Sequence, residues 1–409
     1  MLSRYIDFFN WSKKDKGITL VMLFVFVPMI FKLISPFFIV LGFAQYTTII
    51  MPLILIIGLL YSFNHFLSKI SAVTIVLYLM FAVFVFLSII VYPMSANFIT
   101  SSYTSFVFGT VPFFFIGLAI DYESQKNIFK LVARTGILIQ IFWQFCILIG
   151  LAEVERAEDG SLGEQMGVAY SFLFPLCVTI YNALETKSKI DFCLSIVGFV
   201  LLFFMGTRGP IIIFLFFLIL YFTCFARYKT NKYLKKILSL ILGLFAMRIS
   251  FIIIKLFMPI AVFLGFSTRI LDSFENNEMT DINNSSYRDE FYSSVWEKIV
   301  EDPTGLGYGL GSDRNFTPNG VYVHNFELEI LCEFGLVGGG IILLMLILLC
   351  ANCIRRLRGS GSLTFWFILF CCGVGALQFS HSWLSFPMFF VFLGYSFSVL
   401  RKKSHKTIN

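Results

Sequence analysis

The chain has 409 residues, 58% hydrophobic, 18% aromatic and only 13% charged, with a formal net charge of +7 and a mean hydropathy of +0.85. A soluble chain carries about 25% charged residues, and one this apolar could not cover its core with polar surface, so soluble enzymes, nucleic-acid binders and disordered scaffolds are excluded. The excess positive charge is what cytoplasmic loops of a membrane protein supply, and it needs no polyanionic partner.

A helix needs about 20 apolar residues to cross the hydrocarbon. Runs of that kind stand at 18–35, 42–62, 70–92, 105–120, 131–151, 167–183, 190–205, 210–226, 237–264, 334–354, 363–379 and 385–400. The first run lacks a small-residue cleavage site and reads as an uncleaved span. Pro28, Pro52, Pro112 and Pro175 fall inside runs, where neighbouring helices can re-satisfy the freed backbone groups. The expected fold class is an all-α integral membrane protein of about 12 spans, the short runs at 105 and 190 leaving that count open by one or two. Residues 1–264 would hold spans one to nine, 265–333 a large outer loop, and 334–409 the last three spans and a tail, in one membrane domain. Nine cysteines sit almost entirely in apolar runs, where a thiol packs as a small hydrophobe; the lone C-x-x-C of Cys350 and Cys353 has no second pair to complete a metal site.

Lysine and arginine placement gives the orientation, because these residues stay on the cytoplasmic side of short loops. With both termini inside, every inner segment carries positive charge, and the outer segments hold only Arg156, Arg208, Arg269, Arg288, Lys298 and Arg314. An odd number of spans would place one basic terminus on the wrong side. The long polar stretches Glu153–Gln165 and Gly265–Val323 then both face outward. Within the second, DEFYSSVWEKIV (289–300) has helical spacing of apolar residues and is expected to lie as a helix on the membrane face.

Four outward features could carry chemistry. Arg208 lies in GTRGP (206–210), where flanking glycines leave a guanidinium uncrowded; Arg288 lies in SSYRDEF (285–291); His324 lies in YVHNFELEILCEFGLVGGG (322–340), where the loop returns to the membrane; and EDPTGLGYGLGS (301–312) is Gly-rich. Singly, each has a bland reading. An outer arginine anchors a lipid headgroup or pairs with an acid, and a histidine at a helix start caps or packs. The Gly-rich run, with no parallel-sheet unit around it, reads as a plain flexible loop rather than a phosphate cradle.

Their order is more specific. G-[ST]-R-G between two spans, a large outer loop with Arg and a Trp-bearing helix, P-x-G-x-G, and then His-Asn leading into E-x-G-x-x-G resembles the O-antigen polymerase and O-antigen ligase superfamily. The residues that carry the resemblance are Gly206, Thr207, Arg208, Gly209, Arg288, Trp296, Pro303, Gly305, Gly307, His324, Asn325, Glu333, Gly335 and Gly338. It covers residues 200–345 closely and the N-terminal half only in hydropathy; Thr207 stands where many members have Ser.

The resemblance implies glycosyl transfer at the periplasmic face of the bacterial inner membrane, from an undecaprenyl-diphosphate-linked oligosaccharide, on the multi-span GT-C architecture. A departing lipid diphosphate gathers negative charge, and arginine forks suit it, so Arg208 and Arg288 are the expected diphosphate ligands. No outward carboxylate cluster with metal spacing is evident, and no metal or cofactor is expected. A sugar hydroxyl attacks better when a base takes its proton; His324 is expected to be that base, with His381 the other outward histidine. Asn325 would orient the imidazole or contact sugar. Tyr287, Trp296, Tyr308 and Tyr322 are candidate sugar-stacking residues. Glu333 is placed near the hydrocarbon, where a carboxylate is costly unless paired, and it joins the substrate-contact candidates. Arg248 and Lys255, seven residues apart on one face of the ninth run, either extend the diphosphate site inward or neutralise Glu329 and Glu333, the structural role being preferred.

Two readings share this chemistry. A polymerase joins lipid-linked repeat units, with a chain-length regulator as a candidate partner, and a ligase transfers the polymer to lipid A core. The unusually Phe-rich chain, with 52 Phe, favours the polymerase as a cluster-specific enzyme. A lipid-oligosaccharide flippase is the rival from another class, but transporters usually show repeated halves, and here the informative residues gather after residue 205.

Overall fold

The computed structural model describes residues 72–92, 102–148, 166–205, 207–224, 288–302, 305–317 and 320–401, with a few positions between 38 and 60. Every regular element among them is helical: α1 (Ala72–Val91), a π turn (Ser105–Thr110) leading to α2 (Phe113–Ala119), α3 (Tyr122–Leu148), α4 (Met166–Thr186), α5 (Lys189–Phe204), α6 (Arg208–Cys224), α7 (Arg288–Glu301), α8 (Phe326–Leu357), α9 (Gly361–Phe370) continued by a second π turn (Cys371–Gly375), and α10 (Pro387–Arg401). Four described segments are long and apolar enough to cross a membrane: Ser102–Ala119, Tyr122–Cys146, Met166–Thr186 and Phe326–Leu357; the segments Arg208–Phe222, Gly361–Gly375 and Pro387–Arg401 are shorter and apolar. The described residues are, in this sense, those of an all-helical membrane protein. The runs at 18–35, 42–62 and 237–264 and the loop Glu153–Gln165 lie wholly or almost wholly outside the described residues.

The chain forms two compact units, one of Met1–Phe63 with Asp121–Met279 and one of Asn64–Ile120 with Thr280–Asn409. In the first, α3 starts well before the apolar run at 131, because its opening turns are amphipathic: Ile128, Phe129 and Val132 are buried while Lys130 and Arg134 reach Asp191 at the start of α5. Asp191 is 0% exposed and receives Arg134 Nε and Nη2, the latter at 2.8 Å, with Lys130 Nζ at 3.2 Å. Ser188 caps α5 by accepting from the Asp191 amide. The basic ends of α3 and α5 therefore meet. Arg208 begins α6 at the far end of α5, roughly 24 Å along that helix.

In the second unit, α2 and α10 cross with their backbones in contact. A Cβ on Gly394 would stand 1.9 Å from the Phe114 carbonyl oxygen, and one on Gly117 would stand 2.2 Å from that of Val391. Small residues permit such an approach, and close packing is what holds helices together where lipid removes the hydrophobic drive. Trp366 Nε1 donates to Ser396 Oγ at 2.8 Å and ties α9 to α10.

α8 is broken at Gly335, whose φ of 73° and ψ of 175° are not helical. The Gly-rich loop fills the break. Tyr308 N and Gly309 N donate to the Cys332 and Glu333 carbonyls at 2.9 and 3.0 Å, and Val337 N donates back to Gly305 O at 3.4 Å. The loop read as flexible is thus held as a strap, and those amides serve the broken helix rather than a phosphate. Arg356, near the C-terminal end of α8, donates to the Val399 and Leu400 carbonyls, so the basic ends of α8 and α10 coincide. The opposite end of α8, beyond the break, carries His324 and Asn325.

Candidate functional site

Asn325 starts α8 as its N-cap: its side-chain oxygen accepts from Leu328 N at 2.9 Å. Capping satisfies an orphan amide of the first turn and fixes the angle at which the preceding chain arrives. His324, just before the cap, has φ of 55°, a left-handed conformation unusual for a residue with a Cβ. Three contacts over-determine it. Asp313 accepts from Val323 N at 2.9 Å, Tyr292 OH donates to His324 O at 3.4 Å, and Asn325 holds the cap.

The His324 ring lies between Tyr322, 4.2 Å away between centroids, and Phe291, 6.5 Å away and nearly parallel. Its Nδ1 is buried and finds no hydrogen-bond partner among the described residues. Burial, reinforced by the positive charge of Arg288, pushes the imidazole down to about 4, so the free protein holds it neutral. Arg288 opens α7; its Nη2 donates to Phe379 O at 2.9 Å, and one turn on, Tyr292 has its phenol pushed up mainly by burial. Tyr322 OH donates to Ser380 O, the carbonyl next along the chain from that of Phe379.

Beneath this pair lies a buried carboxylate group that the sequence reading did not foresee. Asp313, Glu329 and Glu333 are all at most 1% exposed, with ligand-type oxygens within 4.8 Å of one another, and among the described residues this is the group that could hold a metal ion by spacing. The expectation that no such cluster exists is corrected, because the helix break and the strap bring Asp313 back to α8. Protein donors already address its oxygens. Arg314 Nη1 pairs with Asp313 at 2.9 Å and lies 3.8 Å from Glu329; Ser382 Oγ donates to Glu329; Trp383 N donates to Glu329 at 3.3 Å and Trp383 Nε1 to Glu333 at 3.0 Å; Gly311 N donates to Glu333 at 2.6 Å. Burial pushes the Asp313 carboxyl up from its usual range.

The segment joining α9 to α10 organises the whole site. Gln378 Nε2 donates to Glu327, Phe379 and Ser380 receive Arg288 and Tyr322, and Ser382 accepts from Arg314 Nη2 at 3.0 Å. From this segment the sequence reading named only His381, whose ring stacks on Phe386 at 4.2 Å. Gln378, Ser382 and Trp383, with Asp313, Arg314 and Tyr292, were missed. The available signal was the pair of carboxylates in α8, which demanded partners, and a polar Ser-His-Ser-Trp stretch between two apolar runs.

Of the expected site residues, Arg288, Tyr322, His324 and Asn325 come together. Glu333 lies two turns deeper, held by the strap and Trp383. Tyr308 is committed to packing, its OH donating to Lys298 O at 3.0 Å and its ring set edge-on to Phe316. Trp296, on the outer face of α7, is 49% exposed. Arg208 belongs to the first unit, where the buried Thr207 hydroxyl beside it has no hydrogen-bond partner among the described residues. Tyr287, Arg248, Lys255, Gly206 and Pro303 lie outside the described residues.

Residues 193–343 match the family model described as O-antigen ligase, a segment that includes Arg208, Arg288 and His324. No curated protein and no solved structure matches the chain.

Proposed function

We propose, from the match of residues 193–343 to the O-antigen ligase family model, that the protein is a surface-polysaccharide polymerase of the bacterial inner membrane. It joins undecaprenyl-diphosphate-linked oligosaccharide repeat units at the periplasmic face, on a GT-C-like bundle of about twelve spans with both termini cytoplasmic. The observation that carries this reading is that Arg288, a fixed cation, and Tyr322, whose ring lies 4.2 Å from the half-buried imidazole of His324, bond to the adjacent carbonyls of Phe379 and Ser380, at the end of α8 opposite Arg355 and Arg356.

In this reading the hydroxyl oxygen of the acceptor sugar attacks the anomeric carbon of the donor. The bond from that carbon to the diphosphate oxygen breaks, and its electron pair leaves with undecaprenyl diphosphate. His324 takes the hydroxyl proton on Nε2, and Arg288 holds the diphosphate as its charge grows. Metal is not required, because the buried carboxylates are already engaged by Arg314, Ser382, Trp383 and the Gly311 amide. Tyr322 and the exposed Trp296 offer faces to sugar, and a chain-length regulator is a candidate partner.

The family description favours one alternative, a ligase that transfers the polymer to lipid A core. Chain-length profiles in cells separate the two. Arg208→Ala, Arg288→Ala and His324→Ala should abolish long polymer while the protein still inserts; polymer that forms normally but no longer reaches lipid A core supports the ligase, and unchanged profiles in all three defeat both.

A further inference from the structure

The charge that would bind the donor also faces the proposed base, and this links two steps that are usually treated apart. We propose that His324 becomes a competent base only when an anionic diphosphate occupies Arg288, so that the donor must bind before the acceptor can be activated. The proposal rests on the reading of Arg288 as a diphosphate ligand.

Its geometry is specific. α7 presents Arg288, Asp289 and Tyr292 toward the lead-in to α8; the chain before His324 presents Tyr322, over whose ring Arg314 lies at 5.7 Å; the first turn of α8 presents Glu327, which is taken by Gln378; and the α9–α10 segment presents the Phe379 and Ser380 carbonyls and His381, itself stacked on Phe386. Arg288 and Tyr322, whose ring lies 4.2 Å from that of His324, bond to the adjacent carbonyls of Phe379 and Ser380, and Tyr292, one turn on from Arg288, reaches the His324 carbonyl, so the guanidinium stands beside the imidazole. Its hydrogen-bond partners, the Phe379 carbonyl and the Tyr292 phenol, are both neutral and leave its positive charge in place. Nδ1 is buried and has no hydrogen-bond partner among the described residues.

A guanidinium beside an imidazole disfavours the protonated form, and a diphosphate on that guanidinium reverses the sign of the local field. With the site empty, His324 is a weak proton acceptor, held at about 4 by burial and by Arg288. With diphosphate bound it moves toward neutrality, where a general base is most effective. Release of undecaprenyl diphosphate after transfer then returns the imidazole to its weak state and helps discharge the proton it took. The device protects the donor site against proton removal from an acceptor that has nothing to attack.

The test is a pH titration of histidine ring resonances by NMR in the full chain, in lipid nanodiscs, with His324 assigned by its absence in His324→Gln. Inorganic pyrophosphate is the probe, and its own phosphorus signal reports binding in the same sample. The wild type should titrate far below an ordinary histidine without pyrophosphate and rise by about one pH unit when saturated. Arg288→Gln should titrate higher from the start and ignore pyrophosphate, whereas Arg288→Lys, which keeps the charge, should stay low until the anion is added. Pyrophosphate that binds the wild type yet leaves His324 unmoved overturns the gate alone. Pyrophosphate that does not bind the wild type overturns the diphosphate site on which the gate rests.

Discussion

Gly307 and Gly335 touch backbone to backbone: a Cβ on Gly307 would stand 2.3 Å from the Gly335 nitrogen, and one on Gly335 would stand 2.0 Å from the Gly305 carbonyl oxygen. Both residues have positive φ, 82° and 73°. The strap and the break in α8 are one device, and it carries Asp313 and Arg314 back beneath His324.

Substituting Gly335→Ala should therefore be severe, since it adds a clash to a backbone conformation that alanine disfavours by on the order of 1–3 kcal/mol. Gly338 is the control, because a Cβ there would meet only Phe334 of its own helix at 3.4 Å. Thermal unfolding in detergent should show a large drop in midpoint for Gly335→Ala and little change for Gly338→Ala. Equal behaviour would mean that the strap does not depend on the break.

Asp313 is a positioning residue, holding Val323 N and so the strained His324. Asp313→Ala should lower kcat about tenfold or more, with donor KM little altered, because a small misplacement of the base is costly. Asp313→Asn keeps an acceptor for the Val323 amide and should restore part of the rate. A uniform rise in KM with unchanged kcat would place Asp313 in binding instead.

The depressed titration of His324 has a consequence for stability. Between about pH 6.5 and 4 the unfolded chain binds a proton at this residue that the folded protein refuses, so folding stability falls as pH drops through that window. Unfolding midpoints of the wild type should decline over this range more steeply than those of His324→Gln. Parallel slopes would show that the imidazole is not held neutral by its surroundings.

In the first unit, Asp191 balances Lys130 and Arg134 at zero exposure. Asp191→Ala leaves these cations uncompensated and should cost about 3 kcal/mol. Adding Arg134→Ala should recover part of that loss, which a double-mutant cycle by denaturant titration measures. Strict additivity of the two losses would deny the coupling.

The helices that sequence made readable were those with unbroken apolar runs, such as α4, α5 and α10. The start of α3 was not, because hydropathy discounts Lys130 and Arg134, whose partner Asp191 lies far along the chain, 57 residues beyond Arg134. The start of α8 was hidden for the same reason: Glu329 and Glu333 look like surface residues until Ser382, Trp383 and Gly311 are seen to satisfy them. For the candidate site, short ordered motifs were enough to single out Arg288 and His324, which the fold brings to the same end of α8. The α9–α10 segment contributes mainly backbone carbonyls, and which carbonyl faces which side chain leaves no trace in residue identity. Asn325 carried a polar signal whose use, a helix cap, is a matter of backbone geometry.

The most direct measurement is chain extension by the purified protein in detergent, supplied with undecaprenyl-diphosphate-linked repeat units and no ion gradient. The account predicts longer lipid-linked chains with release of undecaprenyl diphosphate, and a loss of about a hundredfold or more on His324→Asn, Arg288→Gln or Arg208→Gln. Repeat units left unextended by active wild-type preparations, or extended equally well by all three variants, would contradict it.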